Sequence, residues 1–349
     1  MSIAIHRARG AALGIVLAAL VSLVSGTASA ATPEKPKLTI GVGGVSAQVY
    51  FAPLNVARYQ GYFKAEGLDV EIVDFASGTK ALQAMMGGSS DVTAGAYEHT
   101  LTMQAKNLDI RSIVLFTRYP GNALGIAKAR LTSFKDLRDL KGMKVGISAP
   151  GAATDIFLQL VLESVGLTHD DVSVVAIGNG VGAIAAMRQG GELGAISSLD
   201  PTITQLETSG DIAIKADSRT DAGTRAIYGG AYASGCFYTR YDFAEQYPNT
   251  AQALVNAMVR ALRFVAKATP EQIMALLPAE YFQGDKTLYH ASLVKNLPGV
   301  SPDGLITREA SETVYKVMSK VQPDVRAAKI DLAKTYTNRF TEQALKQIQ

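Results

Sequence analysis

Short runs rich in Val, Ile and Ala alternate along the chain with longer stretches in which apolar residues recur every three or four positions. The runs VEIVDF (70–75) and VSVVAI (172–177) have the length and composition of buried strands. Each precedes a turn of small residues and an amphipathic stretch, SGTKALQAMMGG at 77–88 and NGVGAIAAMRQG at 179–190. DVTAGA and GAISSL follow as further apolar runs, so the pattern predicts strand, short helix and strand in two places.

The two places are copies of one unit, offset by 102 residues. The matching positions are Gly78 and Gly180, Ala81 and Ala183, Leu82 and Ile184, Ala84 and Ala186, Met85 and Met187, and Gly88 and Gly190. The correspondence extends upstream, where LTIGVGG (38–44) and MKVGIS (143–148) each begin the same order of elements. Strands that alternate with helices form parallel sheets with helices on their faces, so we expect an α/β protein of two similar lobes.

The repeat also predicts where the lobes begin and end. The first lobe is expected to comprise residues 37–126 together with 227–349, and the second lobe residues 127–226. YGGAYASGCFYTR (228–240) has the composition of a strand that returns to the first lobe. Helices are expected at 242–268, 286–297, 307–321 and 331–347, packed on the first lobe. Because the chain crosses between the lobes twice, we expect a two-stranded hinge.

The first thirty residues, 1–30, have the pattern of a secretory signal peptide. Arg7 and Arg9 form a basic start, residues 11–26 form an apolar run, and a small-residue cleavage site ends at Ala30. The alternative is a membrane anchor, which the run disfavours because it is shorter than the roughly 20 residues of a membrane span. We therefore expect cleavage after Ala30 and a periplasmic location.

Composition and charge exclude several kinds of partner and site for the part of the chain that follows the leader. Loss of the leader removes two arginines and no acid, which lowers the formal net charge from +3 to +1. Nucleic acid requires a strongly basic face, so no nucleic-acid partner is expected. Cys236 is the single cysteine, which argues against an internal disulfide or a cysteine zinc cluster. Its small and aromatic neighbours predict a buried, inert thiol.

The turn SAPGAATD (148–155) is the strongest candidate for binding chemistry, because it joins a predicted strand to a predicted helix with almost no bulky side chain. A helix N-terminus leaves main-chain N–H groups unpaired and carries partial positive charge, so small residues there let an anion approach. Thr154 or Asp155 is expected to cap the helix. The alternative is that Gly151 and its neighbours only make a tight turn.

Ligands of open α/β sheets bind beyond the carboxyl ends of the strands, and the turns at those ends would line one cleft between the lobes. The residues that we predict to contact a ligand there are Ser46, Gln48, Tyr50, Ser77, Gly78, Thr79, Tyr97, Glu98, Arg118, Gly151, Ala152, Ala153, Thr154, Asp200 and Tyr232. Other roles stay open for three of them. Glu98 could be a solvated acid in a helix's first turn, Arg118 could pair with an inter-lobe acid, and Asp200 could be the N-cap before Pro201.

The turn after VSVVAI also resembles a dinucleotide fingerprint. Gly178, Gly180 and Ala183 fit G-x-G-x-x-A, and Asp200 lies twenty residues after Gly180. The other copy of the repeat lacks this spacing, and an exported protein is remote from nicotinamide pools. We therefore expect no cofactor.

Catalytic motifs are sparse in the sequence. After the leader the histidines are His99, His169 and His290, and none belongs to an H-E-x-x-H or paired-histidine metal pattern. His99 lies near the predicted cleft, but the chain has no G-x-S-x-G nucleophile turn. We expect neither a metal site nor enzymatic activity.

Four segments resemble solute-binding proteins of ABC importers, in the taurine, nitrate and alkanesulfonate group that includes members like the thiamine-pyrimidine synthases. The segments are APLNVARYQGYFKAEGLDVEIVDF, ALQAMMGGSSDVTAG, LKGMKVGISAPGAATDIFLQLVLESVGL and AAMRQGGELGAISSLDP, and the resemblance covers residues 37–270. It implies a two-lobed periplasmic-binding fold of type II that closes by hinge bending, with ligand contacts at 46–50, 77–80, 96–98, 149–154 and 200. It also implies an ABC permease as partner, and we expect a monomer.

The function that this resemblance implies is capture of a small organic anion, such as a sulfonate, carboxylate or nitrate-like ion, for an ABC importer. A ligand sensor, or a thiamine-pyrimidine-related binding protein or enzyme on the same fold, is the alternative. The enzymes of this group need a cysteine cluster, which one cysteine cannot form. Many relatives carry Glu at the position of Asp200 and Ser or His within 149–155, so anion contacts here would be mainly through the backbone.

Overall fold

The computed structural model describes residues 32–189, 192–282 and 284–348. The predicted leader, its cleavage after Ala30, and Gly190 of the repeat lie outside the described residues. The described residues cluster as one compact unit. In the described part of the chain, no helix combines the length and the apolar character that crossing a membrane requires.

Strands in the described residues form two five-stranded sheets. They are β1 (Lys37–Val42), β2 (Asp69–Asp74), β3 (Val92–Ala96), β4 (Ile110–Leu115), β5 (Ala123–Ala127), β6 (Lys144–Ile147), β7 (Ser173–Ala176), β8 (Ala195–Ser198), β9 (Ile212–Asp217) and β10 (Gly235–Arg240). The first sheet has the order β2-β1-β3-β10-β4, and the second has the order β7-β6-β8-β5-β9. The orders correspond place by place, as expected if the sequence repeat encodes one architecture twice.

Helices cover the faces of both sheets. They are α1 (Ala52–Tyr59), α2 (Tyr62–Ala65), α3 (Gly78–Met86), α4 (Glu98–Ala105), α5 (Ala153–Glu163), α6 (Val181–Arg188), α7 (Thr202–Thr208), α8 (Asp221–Tyr228), α9 (Tyr241–Gln246), α10 (Pro248–Val265), α11 (Pro270–Met274), α12 (Lys286–Asn296), α13 (Arg308–Val321), α14 (Pro323–Ala327) and α15 (Arg339–Gln347). The predicted helix 242–268 is divided at Pro248, which lacks an N–H and begins a new helix. Much of the predicted helix 331–347 is irregular, and α15 begins only at Arg339.

One strand in each sheet runs against the others, so the prediction of parallel sheets is wrong for those two strands. β10 pairs antiparallel with β3 and β4, and β5 pairs antiparallel with β8 and β9. Both are the strands that follow a crossing from the other lobe. The chain enters at the edge where the parallel strands end, so the arriving strand runs in the opposite direction.

The chain crosses between the sheets at 116–122 and again at 218–234. Because β5 belongs to the second sheet, the predicted boundary at Ile126 lies a few residues too late. Thr117 Oγ1 of the first crossing accepts from the Gly235 N–H of β10 at 2.8 Å. Ser218 Oγ of the second crossing donates to the Asn122 carbonyl of the first at 2.8 Å, so the two crossings are bonded to each other. Hinge bending about these crossings stays a prediction.

The C-terminal helices pack on both lobes and not on the first alone. α10 and α15 cover the first sheet, whereas α13 lies against α4 of the first lobe and α5 of the second. One apolar cluster therefore contains residues of both lobes, including Leu101, Leu115, Ile126, Phe157 and Val314. The two sheets share part of one core.

This shared core predicts a single cooperative unfolding transition. Phe157 is fully buried and stacks on Tyr228 with ring centroids 6.2 Å apart, so Phe157→Ala should lower the free energy of unfolding by about 3–5 kcal/mol. Urea denaturation followed by circular dichroism and by tyrosine fluorescence should show one shifted transition with both probes. Leu108→Ala, at a side chain that is 40% exposed, is the control and should change the free energy of unfolding by less than about 0.5 kcal/mol. Two separate transitions would contradict the shared core.

Candidate ligand site between the lobes

A small cavity lies between the two sheets, at the edge where their parallel strands end. Its volume is about 30 Å³, which is room for one or two water-sized groups. The residues that line it are Gly43, Tyr50, Phe51, Gly78, Gly95, Ala96 and His99 from the first lobe, Pro120 from a crossing, and Ser148, Ala152, Ala153, Thr154, Asn179 and Leu199 from the second lobe. Both copies of the repeat therefore contribute to one site.

Helix N-termini of both lobes converge on this cavity. Gly78 and Ala153 are the first residues of α3 and α5, His99 is the second residue of α4, and Asn179 lies just before α6. Each N-terminus carries partial positive charge and unpaired N–H groups. Of the described residues that line the cavity, none is Asp, Glu, Lys or Arg. The backbone therefore provides a positive potential that suits a small anion.

The small-residue turn before α5 opens part of its backbone to the cavity. Ala152 is the N-cap and provides no side-chain cap, so neither Thr154 nor Asp155 stands at the predicted capping position. Thr154 Oγ1 accepts from the Ser148 N–H at 3.0 Å, and Asp155 Oδ2 accepts from the Gly151 N–H at 2.8 Å. Within the described residues, the N–H groups of Ala153 and Thr154 have no hydrogen-bond partner. Those two groups, and not that of Gly151, are available to a ligand.

His99 contributes an imidazole to the lining of the cavity. It is 3% exposed, its Nδ1 lies 2.8 Å from the Tyr238 hydroxyl, and its Nε2 has no partner among the described residues. Burial lowers the pKa of His99 to about 4. The Gly151 main chain opposes this shift, although His99 Nε2 makes no hydrogen bond of standard geometry to it. The imidazole is therefore neutral at pH 7. The sequence singled out His99 only as a residue near the cleft, because nothing in a single sequence links it to Tyr238.

Polar side chains join the lobes at the rim of the cavity. Thr79 Oγ1 of the first lobe donates to the Pro150 carbonyl at 3.1 Å, and Asn179 Nδ2 of the second lobe donates to the Ala76 carbonyl at 3.0 Å. Gln48 is buried nearby, and both atoms of its amide lack a partner among the described residues. A bound group with donors and acceptors could satisfy the amide of Gln48.

The predicted ligand contacts fall into three groups in the structure. Those that line the cavity are Tyr50, Gly78, Ala152, Ala153 and Thr154. Close to it but engaged in other contacts are Ser77, which caps α3 by accepting from the Lys80 N–H, together with Thr79 and Gly151. As ligand contacts, all of these stay predictions.

Other predicted contacts do not line the cavity and have partners within the protein. Ser46 Oγ donates to Asp74 at 3.1 Å, and the Tyr97 hydroxyl lies 2.5 Å from Thr335 Oγ1. Arg118 is exposed and donates to the Pro298 carbonyl at 3.2 Å, so the inter-lobe ion pair suggested by its sequence position does not form. These partners lie far away in sequence, which is why local pattern could not reveal them.

Asp200 is buried at the end of β8 and has three partners. Its Oδ1 accepts from the Thr204 N–H at 2.8 Å, and its Oδ2 accepts from Asn296 at 2.7 Å and lies 3.5 Å from the Arg219 guanidinium. α7 begins at Thr202 with Pro201 as N-cap, so the predicted N-cap role of Asp200 is displaced by one residue. The carboxylate nevertheless caps a donor of the first turn, and it links lobe two to α12.

Glu98 is buried behind the cavity and is not the solvated acid that its helix position allowed. Glu98 Oε1 accepts from the Tyr232 hydroxyl at 2.9 Å, and Oε2 has no partner among the described residues. Burial raises the pKa of Glu98 to about 7, although the Tyr232 hydrogen bond opposes this. Tyr232 and Glu98 thus pair with each other beneath the site. Cys236 is fully buried, as predicted, and burial raises the pKa of its thiol.

The two-lobed architecture is similar to that of known proteins. A family model described as NMT1/THI5 like matches residues 48–273. A solved protein from Bordetella bronchiseptica RB50 is 44% identical, with a TM-score of 0.87 over 90% of this chain and 99% of that chain. The alkanesulfonate-binding protein SsuA from Xanthomonas axonopodis pv. citri, bound to MOPS, is 17% identical, with a TM-score of 0.69 over 87% of this chain and 98% of that chain. The two-lobed binding-protein fold implied by the sequence resemblance is confirmed.

An enzyme relative matches over a much shorter stretch. The 4-amino-5-hydroxymethyl-2-methylpyrimidine phosphate synthase of Aspergillus parasiticus is 31% identical over 132 residues. That match covers 38% of this chain and 38% of the relative. The similarity therefore reaches only part of the enzyme.

The raised pKa of Glu98 predicts a pH-dependent stability. Folded Glu98 holds its proton up to about pH 7, whereas the unfolded side chain releases it near pH 4.5, so the folded state loses stability as the pH rises between these values. The loss should be about 3 kcal/mol. Glu98→Gln removes this titration. The free energy of unfolding of the variant minus that of the wild type should therefore be about 3 kcal/mol larger at pH 8 than at pH 4.5. Urea denaturation at both pH values measures the difference.

Glu309→Gln, at an exposed carboxyl, serves as the matched control. Its difference from the wild type should be nearly the same at pH 4.5 and pH 8. If Glu98→Gln behaves like this control, the buried carboxyl does not hold a proton at neutral pH.

Proposed function

This chain belongs to the NMT1/THI5 like family, and we propose that it is a periplasmic solute-binding protein that captures a small organic anion between its lobes. The convergence of helix N-termini on a cavity without charged side chains carries the proposal. Such a site stabilises negative charge through the backbone and rejects cations. Sulfonates, carboxylates and nitrate-like ions share the compact oxyanion that this chemistry fits.

The walls of the cavity favour an anion with a small apolar part. Tyr50, Phe51, Pro120 and Leu199 line it beside the helix N-termini. A volume of about 30 Å³ is smaller than a whole sulfonate or carboxylate ligand, so binding such a ligand needs the lobes to part. The alkanesulfonate named for SsuA has this combination of a compact oxyanion and an apolar chain.

Binding would act by shifting the population of lobe arrangements. A ligand that touches α3 and α4 of one lobe and α5 of the other is held best when the lobes are together, so its differential contacts favour the closed state. We propose that a monomer in this state presents the ligand to the permease of an ABC importer. The same closure would also serve a sensor, whose partner would be a receptor in place of a permease.

The alternative is a thiamine-pyrimidine-related binding protein or enzyme. The partial match to a pyrimidine phosphate synthase keeps a pyrimidine among the ligands to be tested. A synthase of this kind would form the phosphate of 4-amino-5-hydroxymethyl-2-methylpyrimidine, whereas a binding protein would only bind the pyrimidine. Calorimetry with the pyrimidine tests binding, and chromatography of the incubated protein for newly formed pyrimidine phosphate tests synthesis.

Ala153→Asp tests the sign of the charge that the cavity binds. Ala153 is the first residue of α5, where an acidic side chain stabilises the helix, so the fold should tolerate it. A carboxylate there repels a bound anion, and affinity should fall by about a hundredfold for charges about 5 Å apart. Thermal shift and calorimetry with methanesulfonate, nitrate and acetate measure this change.

Ala153→Asn has the same shape without the charge and is the matched control. It should keep affinity within a few fold of the wild type. Tighter binding of a ligand by the Asp variant would indicate a cationic ligand, and equal binding by both variants would indicate a neutral one. If none of the three anions raises the melting temperature of the wild type, the anion proposal fails.

A further inference from the structure

Tyr238 does not line the cavity, yet it contacts His99, which does. It lies on β10, fully buried, and its hydroxyl is 2.8 Å from His99 Nδ1. Glycines make room for this pair. A Cβ on Gly95 would come within 3.2 Å of the Tyr238 hydroxyl, and a Cβ on Gly78 within 3.1 Å of His99 Cε1. The backbone is thus shaped around the contact between the phenol and the imidazole.

The direction of this hydrogen bond decides what His99 offers to a ligand. If the Tyr238 hydroxyl donates to Nδ1, the ring proton lies on Nε2, and only that N–H is left without a partner. If Nδ1–H donates instead, the Nε2 lone pair is left without a partner, and the phenol proton has only Thr93 beside it, without a hydrogen bond of standard geometry among the described residues. Buried unpaired polar groups are costly, so the first arrangement is favoured.

The surroundings of the ring agree with this tautomer. Nε2 lies on the side of the ring that faces Gly78, 3.8 Å from the position of an added Cβ, and Gly78 lines the cavity. The Gly151 main chain of the other lobe raises the pKa of His99, as a nearby carbonyl acceptor does for an N–H. Because burial lowers the pKa of His99 to about 4, the ring at pH 7 is neutral and has a single proton to place.

We propose that Tyr238 is a positioning residue that fixes His99 in the tautomer with Nε2–H directed into the cavity, where it donates to a ligand oxygen. The ligand part of this inference rests on the proposed function. The hydrogen bond between Tyr238 and His99 thus gives the site a neutral N–H donor beside the N–H groups of α5. This donor favours ligands that present an acceptor oxygen. A ligand that presents an N–H at this point would face another donor and would be rejected.

Nitrogen-15 NMR of the full chain labelled at histidine tests the tautomer without any ligand. The chain has four histidines, and the His99 signals are identified by their loss in His99→Gln. At pH 7 the wild type should show a protonated Nε2 and an unprotonated Nδ1. In Tyr238→Phe the donor to Nδ1 is removed, and the His99 signals should shift toward a mixture of tautomers. A protonated Nδ1 in the wild type would overturn the proposal.

A double-mutant cycle with methanesulfonate tests the effect on binding. Tyr238→Phe should weaken binding about tenfold, because a hydrogen bond to a charged group is lost or misdirected. In a His99→Gln background the same substitution should change affinity less than about twofold, since Tyr238 acts through His99. Equal losses in both backgrounds would assign Tyr238 a packing role only and refute the inference.

These results are distinguishable from a failure of the proposed function. If methanesulfonate, nitrate and acetate all fail to bind the wild type, the anion proposal is wrong, while the NMR experiment still decides the tautomer. Should Tyr238→Phe fold poorly, the wild type alone decides the proposal, because a protonated Nδ1 of His99 in the wild type contradicts it whatever the variant does.

Discussion

The direction of the strands determines where the candidate ligand site lies. A parallel strand ends at the edge of its sheet where the next helix begins, so every strand–helix connection places a helix N-terminus at that edge. In this chain the two sheets present these edges to each other, and α3, α4, α5 and α6 begin around one cavity. The electrostatic character of the site follows from backbone geometry, which is why it needs no Lys or Arg in its lining. Small residues such as Gly78 and Ala153 then matter because they leave the N–H groups accessible.

The positions of these helix N-termini can be predicted from the sequence because they depend on residues that are close together in the chain. The repeat at 77–88 and 179–190 encodes strand, turn and helix within a few residues, and the turn at 148–155 is recognisable from its lack of bulk. Side-chain roles depend on partners that lie far away in the chain. Tyr97 bonds Thr335, and Tyr238 bonds His99, and no spacing rule connects these positions. The antiparallel direction of β5 and β10 was not predicted for a related reason. It is set by the side from which the chain arrives from the other lobe, which is not a local feature.

Four buried polar atoms without partners lie where the lobes meet. His99 Nε2, the amide of Gln48 and Asn179 Oδ1 are buried there and have no hydrogen bond within the described residues. Each such group costs about 1–3 kcal/mol relative to exposure to water. Bringing the lobes together is therefore unfavourable at these atoms unless a bound molecule supplies donors and acceptors. A site of this kind couples lobe closure to ligand chemistry, because only a ligand with matching groups removes the cost.

The shared core restricts which way the lobes can separate. On the side away from the cavity, α13 packs against α4 and α5, and separation there would expose apolar surface at about 25 cal/mol per Å². On the cavity side, separation breaks hydrogen bonds such as those from Thr79 and Asn179, worth about 1 kcal/mol each, and returns unpaired polar atoms to water. We therefore expect the cheaper motion to open the cavity and to leave α13 in place. The crossings at 116–122 and 218–234 would bend, and the apolar cluster under α13 would act as the pivot.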